Sequence, residues 1–269
     1  MNKLVVVRGG GDIASGVSYR LVKAGFSVVI LETSMPTMVR RTVSFAQAVY
    51  DNESAIEGIR CKKVEVVQAA LDIIDDQTIP LLIDPKGERI KELKPMALVD
   101  AILAKKNLGT TMDMAPIVIG LGPGFTVGKD VHAVIETKRG HFLGRALYEG
   151  QAIPNTGVPG EVGGYGIERV LRAPCNGAFK SVKRIGDIVQ KGEVVAMVGE
   201  EPIEAAISGV LRGLLQDGLE VTPGFKVGDI DPRAEVEHCF SISDKALSVA
   251  GGVLEALLHL GGKQKKSMF

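Results

Sequence analysis

The sequence predicts an α/β chain, with a mostly parallel sheet domain first, a small all-β module second, and a closing helix at the C-terminal end. Three observations predict it. Four consecutive apolar residues at positions 4–7 run through Arg8 into Gly9, Gly10 and Gly11 and straight on into helical spacing. Apolar, β-branched runs then alternate with helical patterns as far as position 137. Beyond a stretch rich in glycine and proline, one set of turn glycines and valines recurs 32 positions later.

The opening run reads as a strand buried on both faces, since nothing polar interrupts it. Ile13, Val17, Leu21 and Val22 follow at three- to four-residue spacing with Tyr19, Arg20 and Lys23 opposite, and Gly25 ends the pattern where a left-handed cap is wanted. A second apolar run at 27–31 stops at Glu32. Strand, helix and strand together take roughly 30 residues, the length of a right-handed parallel crossover.

Gly9, Gly11 and Ala14 fill a G-x-G-x-x-A pattern. In it the first glycine makes the turn, the second admits a pyrophosphate to the backbone, and the small third residue lets helix and strand pack, so the domain reads as Rossmann-like. Amides at the helix start would hold an anion. Glu32, about 20 residues on, stands where a carboxylate accepts from a ribose diol, which argues against a 2′-phosphate. The candidate cofactor-binding residues are Gly9, Gly10, Gly11, Asp12, Ile13, Ala14, Ser15 and Glu32. Gly122 and Gly124 of a later Gly-Pro-Gly loop join them, although Pro123 removes one donor and a tight turn explains that loop as well. The competing reading of the first loop is a turn that binds nothing.

Composition narrows the function classes. Lys plus Arg and Asp plus Glu both number 32, so no net field gathers nucleic acid or an anionic membrane. There is no Trp and aromatics are few, so base-stacking platforms are not expected. No apolar run approaches the ~18 residues of a membrane helix and no secretory pattern follows Met1, so a cytoplasmic protein is expected. Cys61, Cys175 and Cys239 are odd in number and far apart, which fits small buried groups in a reducing compartment. Whether Cys61 or Cys175 handles sulfur or selenium stays open.

Past Glu32, the pair Arg40-Arg41 is read as a solvated loop, with a nucleotide phosphate as the alternative partner. Residues 43–50 have the spacing of a short helix, 64–67 of a strand, 69–75 of a helix, and 80–85 of a buried strand closed by a proline. An apolar run at 96–103 and strands at 116–121 and 131–137 complete the domain, whose alternation builds a mostly parallel sheet with both faces covered. His132 and His141 are read as structural, because no carboxylate partner stands at a fixed spacing.

Pro154, Gly157, Pro159, Gly160, Gly163 and Gly164 break all periodicity and mark a boundary. After it, Gly177, Gly186, Val189, Gly192 and Val195 match Gly209, Gly218, Val221, Gly224 and Val227, each 32 positions on, as 177 is from 209. Two copies of a short-strand unit would close into a small sandwich. The arrangement resembles the barrel-sandwich fold of biotinyl and lipoyl carrier domains, but no lysine lies between Lys191 and Lys226 to carry a cofactor, which leaves a docking or scaffolding module. Ser243-Asp244 caps a final helix whose Gly251-Gly252 pair suggests close approach of another backbone. The expected division is a nucleotide-binding domain at 1–150, a linker at 151–167, a barrel-sandwich hybrid module at 168–233 and a helix at 240–262, followed by a solvated lysine tail at 263–266.

The stretches at 8–16, 40–46, 120–125, 185–187 and 250–256 together resemble one family over nearly the full length: the selenium-dependent molybdenum hydroxylase accessory proteins. The resemblance implies a maturation factor that prepares, inserts or modifies the molybdenum cofactor, including a labile selenium, in partnership with a molybdenum hydroxylase or its cofactor-assembly proteins. It brings no catalytic residues. The expected ligand is a nucleotide, with molybdopterin cytosine dinucleotide and NAD as the named candidates; no metal ligands are expected, and a homo-oligomer is compatible with the sequence. The alternatives are an NAD-dependent oxidoreductase and a cofactor-free protein-interaction scaffold.

Overall fold

The structure, a computed structural model, describes residues 3–157 and 160–266, with side chains through residue 262. Pro159 of the expected linker and the side chains of the lysine tail lie outside the described residues. Contacts divide the chain into two units: Met1–Pro36 with Phe45–Asn155 and Ile242–Phe269, and Thr37–Ser44 with Thr156–Ser241. The first differs from the contiguous 1–150 expected, because a short segment after the second strand joins the other unit and the C-terminal helix returns to this one.

In the first unit β1 (Leu4–Arg8) enters α1 (Asp12–Lys23) and β2 (Ser27–Glu32), and β1 pairs in parallel with β2 from Leu4 opposite Ser27. All five β1 residues are buried, which is why the run carries no alternation. Helix α2 (Ala48–Asp51) leads to the antiparallel pair β3 (Glu53–Ile56) and β4 (Ile59–Val64), then α3 (Val67–Ile73) and β5 (Thr78–Ile83). Pro80 sits inside β5 at little cost, because β5 meets β2 only from Leu81 onward and is paired on one side alone at the proline. Helix α4 (Ile90–Leu93), β6 (Ala97–Asp100), β7 (Ile117–Leu121), β8 (Ala133–Ile135) and β9 (Ala146–Leu147) complete a sheet of order β3-β4-β5-β2-β1-β6-β7-β8-β9.

The Rossmann-like α/β class expected from the sequence is corrected here. The nine-stranded sheet is mixed, with β3 antiparallel to β4 and β9 antiparallel to β8. Helices are few. The connection from β6 to β7 contains one 3-10 turn, Met112–Met114, and none lies between β7 and β8. Gly109 in the first connection and Gly122, Pro123, Gly124 and Gly128 in the second work against helix propagation there. The expected helix at 43–50 is likewise two 3-10 turns, Arg41–Val43 and Phe45–Gln47, before the four-residue α2.

One sheet face is covered instead by α1 and the 23-residue α5 (Asp244–Lys266). Ala246, Val249, Ala250, Val253 and Leu257 recur on one side of α5 and are buried with Ile13, Val17 and Leu21 of α1. The Ser243 hydroxyl caps the helix by accepting from the Ala246 amide at 3.2 Å. The opposite sheet face packs Val6, Val29, Leu82 and Leu98 against α3, α4 and the loops around Ala115 and Phe125.

The second unit holds β10 (Val170–Arg172), β11 (Gly177–Ser181), β12 (Ile188–Val189), β13 (Val194–Val198), β14 (Glu201–Glu204), β15 (Gly209–Leu214), β16 (Glu220–Val221) and β17 (Lys226–Asp231). They form two four-stranded antiparallel sheets, β10-β17-β15-β12 and β14-β13-β11-β16. Strands β11, β12 and β13 begin at 177, 188 and 194, and β15, β16 and β17 at 209, 220 and 226, so each partner begins 32 residues later. The chain is therefore mostly sheet: one large mixed sheet and two small antiparallel ones, in place of a helix-covered parallel domain followed by a barrel-sandwich module. No helix among the described residues is long and apolar enough to cross a membrane.

Candidate functional site

The glycine turn is built by close backbone approach. Gly9 has φ +94°, and a Cβ there would stand 3.0 Å from the Ala101 carbonyl oxygen. A Cβ on Gly10 would lie 2.9 Å from the Ala46 amide nitrogen. That approach is fastened by hydrogen bonds: the Ala46 amide donates to the Gly10 carbonyl at 2.8 Å, and the Phe45 amide donates to the Ser15 hydroxyl at 2.8 Å. The Ser15 hydroxyl donates in turn to the Gly10 carbonyl at 3.1 Å. Gly10 and Ser15 thus hold the 45–47 turn onto the start of α1.

Glu32 faces the turn and is engaged by it. Its Oε2 accepts from the Gly10 amide and its Oε1 from the Thr33 amide, both at 2.7 Å. Burial pushes its pKa up, while the two amides pull it down by less. The acid expected at a ribose diol therefore spends its first lone pairs on its own chain. Ile13 and Ala14 are buried in the packing of α1. Gly11 is different: it is half-buried, has φ −65° as the N-cap residue, and a Cβ built there meets nothing within 4 Å. Asp12, the first helical residue, is half-buried beside it.

Gly122 and Gly124 are explained by the fold. A Cβ on Gly122, φ +74°, would reach the Thr137 hydroxyl at 2.5 Å, and one on Gly124, φ +113°, would meet the Lys106 backbone at 2.6 Å. Both positions are filled by the chain's own atoms, which favours the tight turn.

The sequence reading missed Arg8. The side chain is 2% exposed and lies at the end of β1. Nη1 stands 3.4 Å from Asp100 Oδ2 and donates to the Thr110 hydroxyl at 2.5 Å, while Nη2 donates to the Pro85 carbonyl at 2.9 Å. Thr110 donates onward to Asp100 at 2.6 Å. Such a buried pair, hydrogen-bonded further to Thr110 and the Pro85 carbonyl, is structural in character. Leu103 and Lys105, in the loop that follows Asp100, both have left-handed backbone, φ +59° and +63°, a strain that concentrates at functional loops.

Other candidates resolve individually. Arg40 and Arg41 are not a solvated pair: Arg40 donates to the His238 carbonyl at 2.8 Å and Arg41 to the Leu214 carbonyl at 2.9 Å, within the second unit. His132 Nδ1 accepts from the Val118 amide at 3.0 Å, and burial holds the ring below its ordinary pKa. Cys61 is fully buried, which pushes its thiol up, and Cys239 is buried too; Cys175 is half-buried. No cluster of three or more His, Cys, Asp or Glu suited to a metal occurs among the described residues.

No family model matches the chain. It is 52% identical over 270 residues to the uncharacterized protein YqeB of Escherichia coli strain K12, a match that takes in 99% of this chain. The chain spans about half the length, 50%, of that relative. Among solved structures it is similar to an aspartoacylase family protein of Mesorhizobium loti at 11% identity and a TM-score of 0.27, over 86% of this chain and 85% of that one. The ectoine utilization protein EutE (DoeB) of Ruegeria pomeroyi is 12% identical at a TM-score of 0.26, over 84% and 85%. At those scores neither fold nor chemistry is carried over.

Proposed function

We propose that the chain is a maturation factor for a selenium-dependent molybdenum hydroxylase, and that it binds a pyrophosphate-linked nucleotide, with molybdopterin cytosine dinucleotide as the first candidate, at the Gly11 end of α1. The family resemblance of the stretches at 8–16, 40–46, 120–125, 185–187 and 250–256 supports the maturation role. The ligand reading is carried by one observation: Gly11 is the member of the glycine turn whose Cβ direction is open. A phosphate can approach there as it cannot at Gly10, and the positive end of the helix dipole favours it. The chain's part is binding and orientation. Gly11 and Asp12 would supply the amides, and Glu32 would offer its second lone pairs to a ribose.

A specific observation favours a second reading, the cofactor-free scaffold. Gly10 is covered by Ala46 and its amide is already taken by Glu32, as in a turn that serves only the fold.

Calorimetric titration with molybdopterin cytosine dinucleotide, CTP and NAD separates these readings. Saturable binding of the pterin dinucleotide that disappears in Gly11→Val supports the first. Binding of NAD with turnover would replace it by an oxidoreductase, and no heat with any of the three would leave the scaffold.

A further inference from the structure

The second unit contains a buried guanidinium with one N–H, Arg212 Nε, that none of the described residues satisfies. Arg212 lies in β15 where the register against β17 shifts: Leu211 is opposite Ile230 and Gly213 is opposite Asp229, so Arg212 is the extra residue of a bulge. Bulges re-aim side chains. This one turns Arg212 inward, to 8% exposure, with Nη1 3.3 Å from Asp231 Oδ2 and with Nε buried and lacking a hydrogen-bond partner among the described residues. A charged N–H left unmet in such a place is unfavourable, and a ligand that accepts from it recovers that loss.

The nearby carboxylates are committed elsewhere. Asp231 receives Arg233 Nε on Oδ1 at 2.9 Å and Arg233 Nη2 on Oδ2 at 2.6 Å. Asp229 Oδ1 is held by Arg169 at 2.6 Å, with Lys226 4.0 Å away. The other near charge is another cation, the buried Arg40. Burial first, and then the Arg40 charge, hold the Arg212 guanidinium below its usual pKa. Arg40 is anchored to the carbonyl of His238, whose ring Nδ1 is also buried without a partner among the described residues. Arg40, Arg169, Arg212, Arg233 and Lys226 thus face two aspartates.

We propose that this cluster is an oxyanion site of the phosphate class, in which Arg212 Nε donates to the ligand and Arg40 lies beside it. A dianion relieves the repulsion between the two guanidinium groups and satisfies the orphan donor. The fork of an arginine suits tetrahedral oxygens. The shared chemistry covers free phosphate and the phosphoryl end of a small phosphomonoester.

The test is calorimetric titration of the full chain with inorganic phosphate, using wild type, Arg212→Lys, Arg212→Met and Gly11→Val. Arg212→Lys keeps a cation for Asp231 but removes Nε, so it remains informative if Arg212→Met fails to fold. Saturable binding of one phosphate per chain is expected, weakened at least tenfold in Arg212→Lys and unchanged in Gly11→Val. That last arm separates this site from the glycine-turn reading. Competition by CMP assigns the site to phosphomonoesters, and its failure assigns it to the free ion. No saturable phosphate binding by wild type, or wild-type affinity in Arg212→Lys, overturns the proposal.

Discussion

The Glu32 carboxylate reaches back to the Gly10 amide, N to Oε2 at 2.7 Å, and takes the Thr33 amide on its other oxygen. Two effects of opposite sign meet on this group. Desolvation favours the protonated form and the amides favour the ionised one; burial is the larger.

Glu32 therefore gives a pH signature with a fixed sign. A carboxyl whose folded pKa is raised above its ordinary 4.5 binds its proton more tightly in the native state. The stability this confers is fully present below that value and is lost as pH rises through the folded pKa. Comparing wild type with Glu32→Gln isolates this contribution. The melting temperature of wild type relative to the variant should fall between pH 4 and pH 7. A rise over that interval would mean that the two amides outweigh burial.

The two neighbouring turn glycines should respond differently to a side chain. Gly10→Ala places a methyl 2.9 Å from the Ala46 nitrogen and 3.2 Å from its Cα, backbone that is itself hydrogen-bonded to Gly10. Overpacking of this kind costs about 1–3 kcal/mol. Gly11→Val meets open space at φ −65°, and its cost is about 1 kcal/mol or less, from the poorer N-cap. Denaturant midpoints check both. Equal destabilisation would place an unseen contact at Gly11 and spoil that variant as a probe of ligand binding.

The parts of this arrangement differ in how far they can be read from sequence. β1, α1 and β2 are legible because each is a local pattern of apolar residues closed by Gly9 or Gly25. The covering of Gly10 by Phe45 and Ala46 is not, since it joins backbones more than 30 positions apart and leaves no periodicity. Because the strand signals are strong, the connections after β6 read as part of a helix-covered parallel sheet. The glycines in them are visible, but no pattern says that their loops around Ala115 and Phe125 pack on one sheet face while the distant α5 covers the other. Arg8 had no local partner to announce it: Asp100 is 92 positions away and Thr110 is 102.

Arg8 and Asp100 give the largest single-residue effects expected in the first unit. Removing either alone, as Arg8→Met or Asp100→Ala, leaves the other charge buried and should cost about 3–5 kcal/mol. The double variant Arg8→Met with Asp100→Leu should cost clearly less than the sum, because no charge is left stranded. Additive losses in urea unfolding would show that the pair acts as two independent side chains.

Cysteine reactivity should divide by burial. Cys61 and Cys239 are buried and burial raises both thiols, whereas Cys175 is half-buried with Sγ 3.4 Å from the Val198 carbonyl. Alkylation of the native protein should label one thiol, at Cys175, and all three after denaturation. Native labelling of Cys61, located by peptide mapping, would contradict its burial.

The adjacent glycines of α5 should give opposite signs. A Cβ on Gly252 would stand 2.1 Å from the Gly144 carbonyl oxygen and 2.9 Å from an Ile135 methyl, so the helix lies against the backbone of the 140–145 loop at this point and no side chain fits. A Cβ on Gly251 meets nothing within 4 Å, although it lies in the same turn. Gly252→Ala should therefore destabilise by about 1–3 kcal/mol through overpacking. Gly251→Ala should stabilise by up to about 1 kcal/mol, the helix-propensity difference between the two residues. Thermal unfolding of the two single variants decides it: a shift of the same sign in both would remove close approach at Gly144 as the reason that α5 carries a glycine at 252.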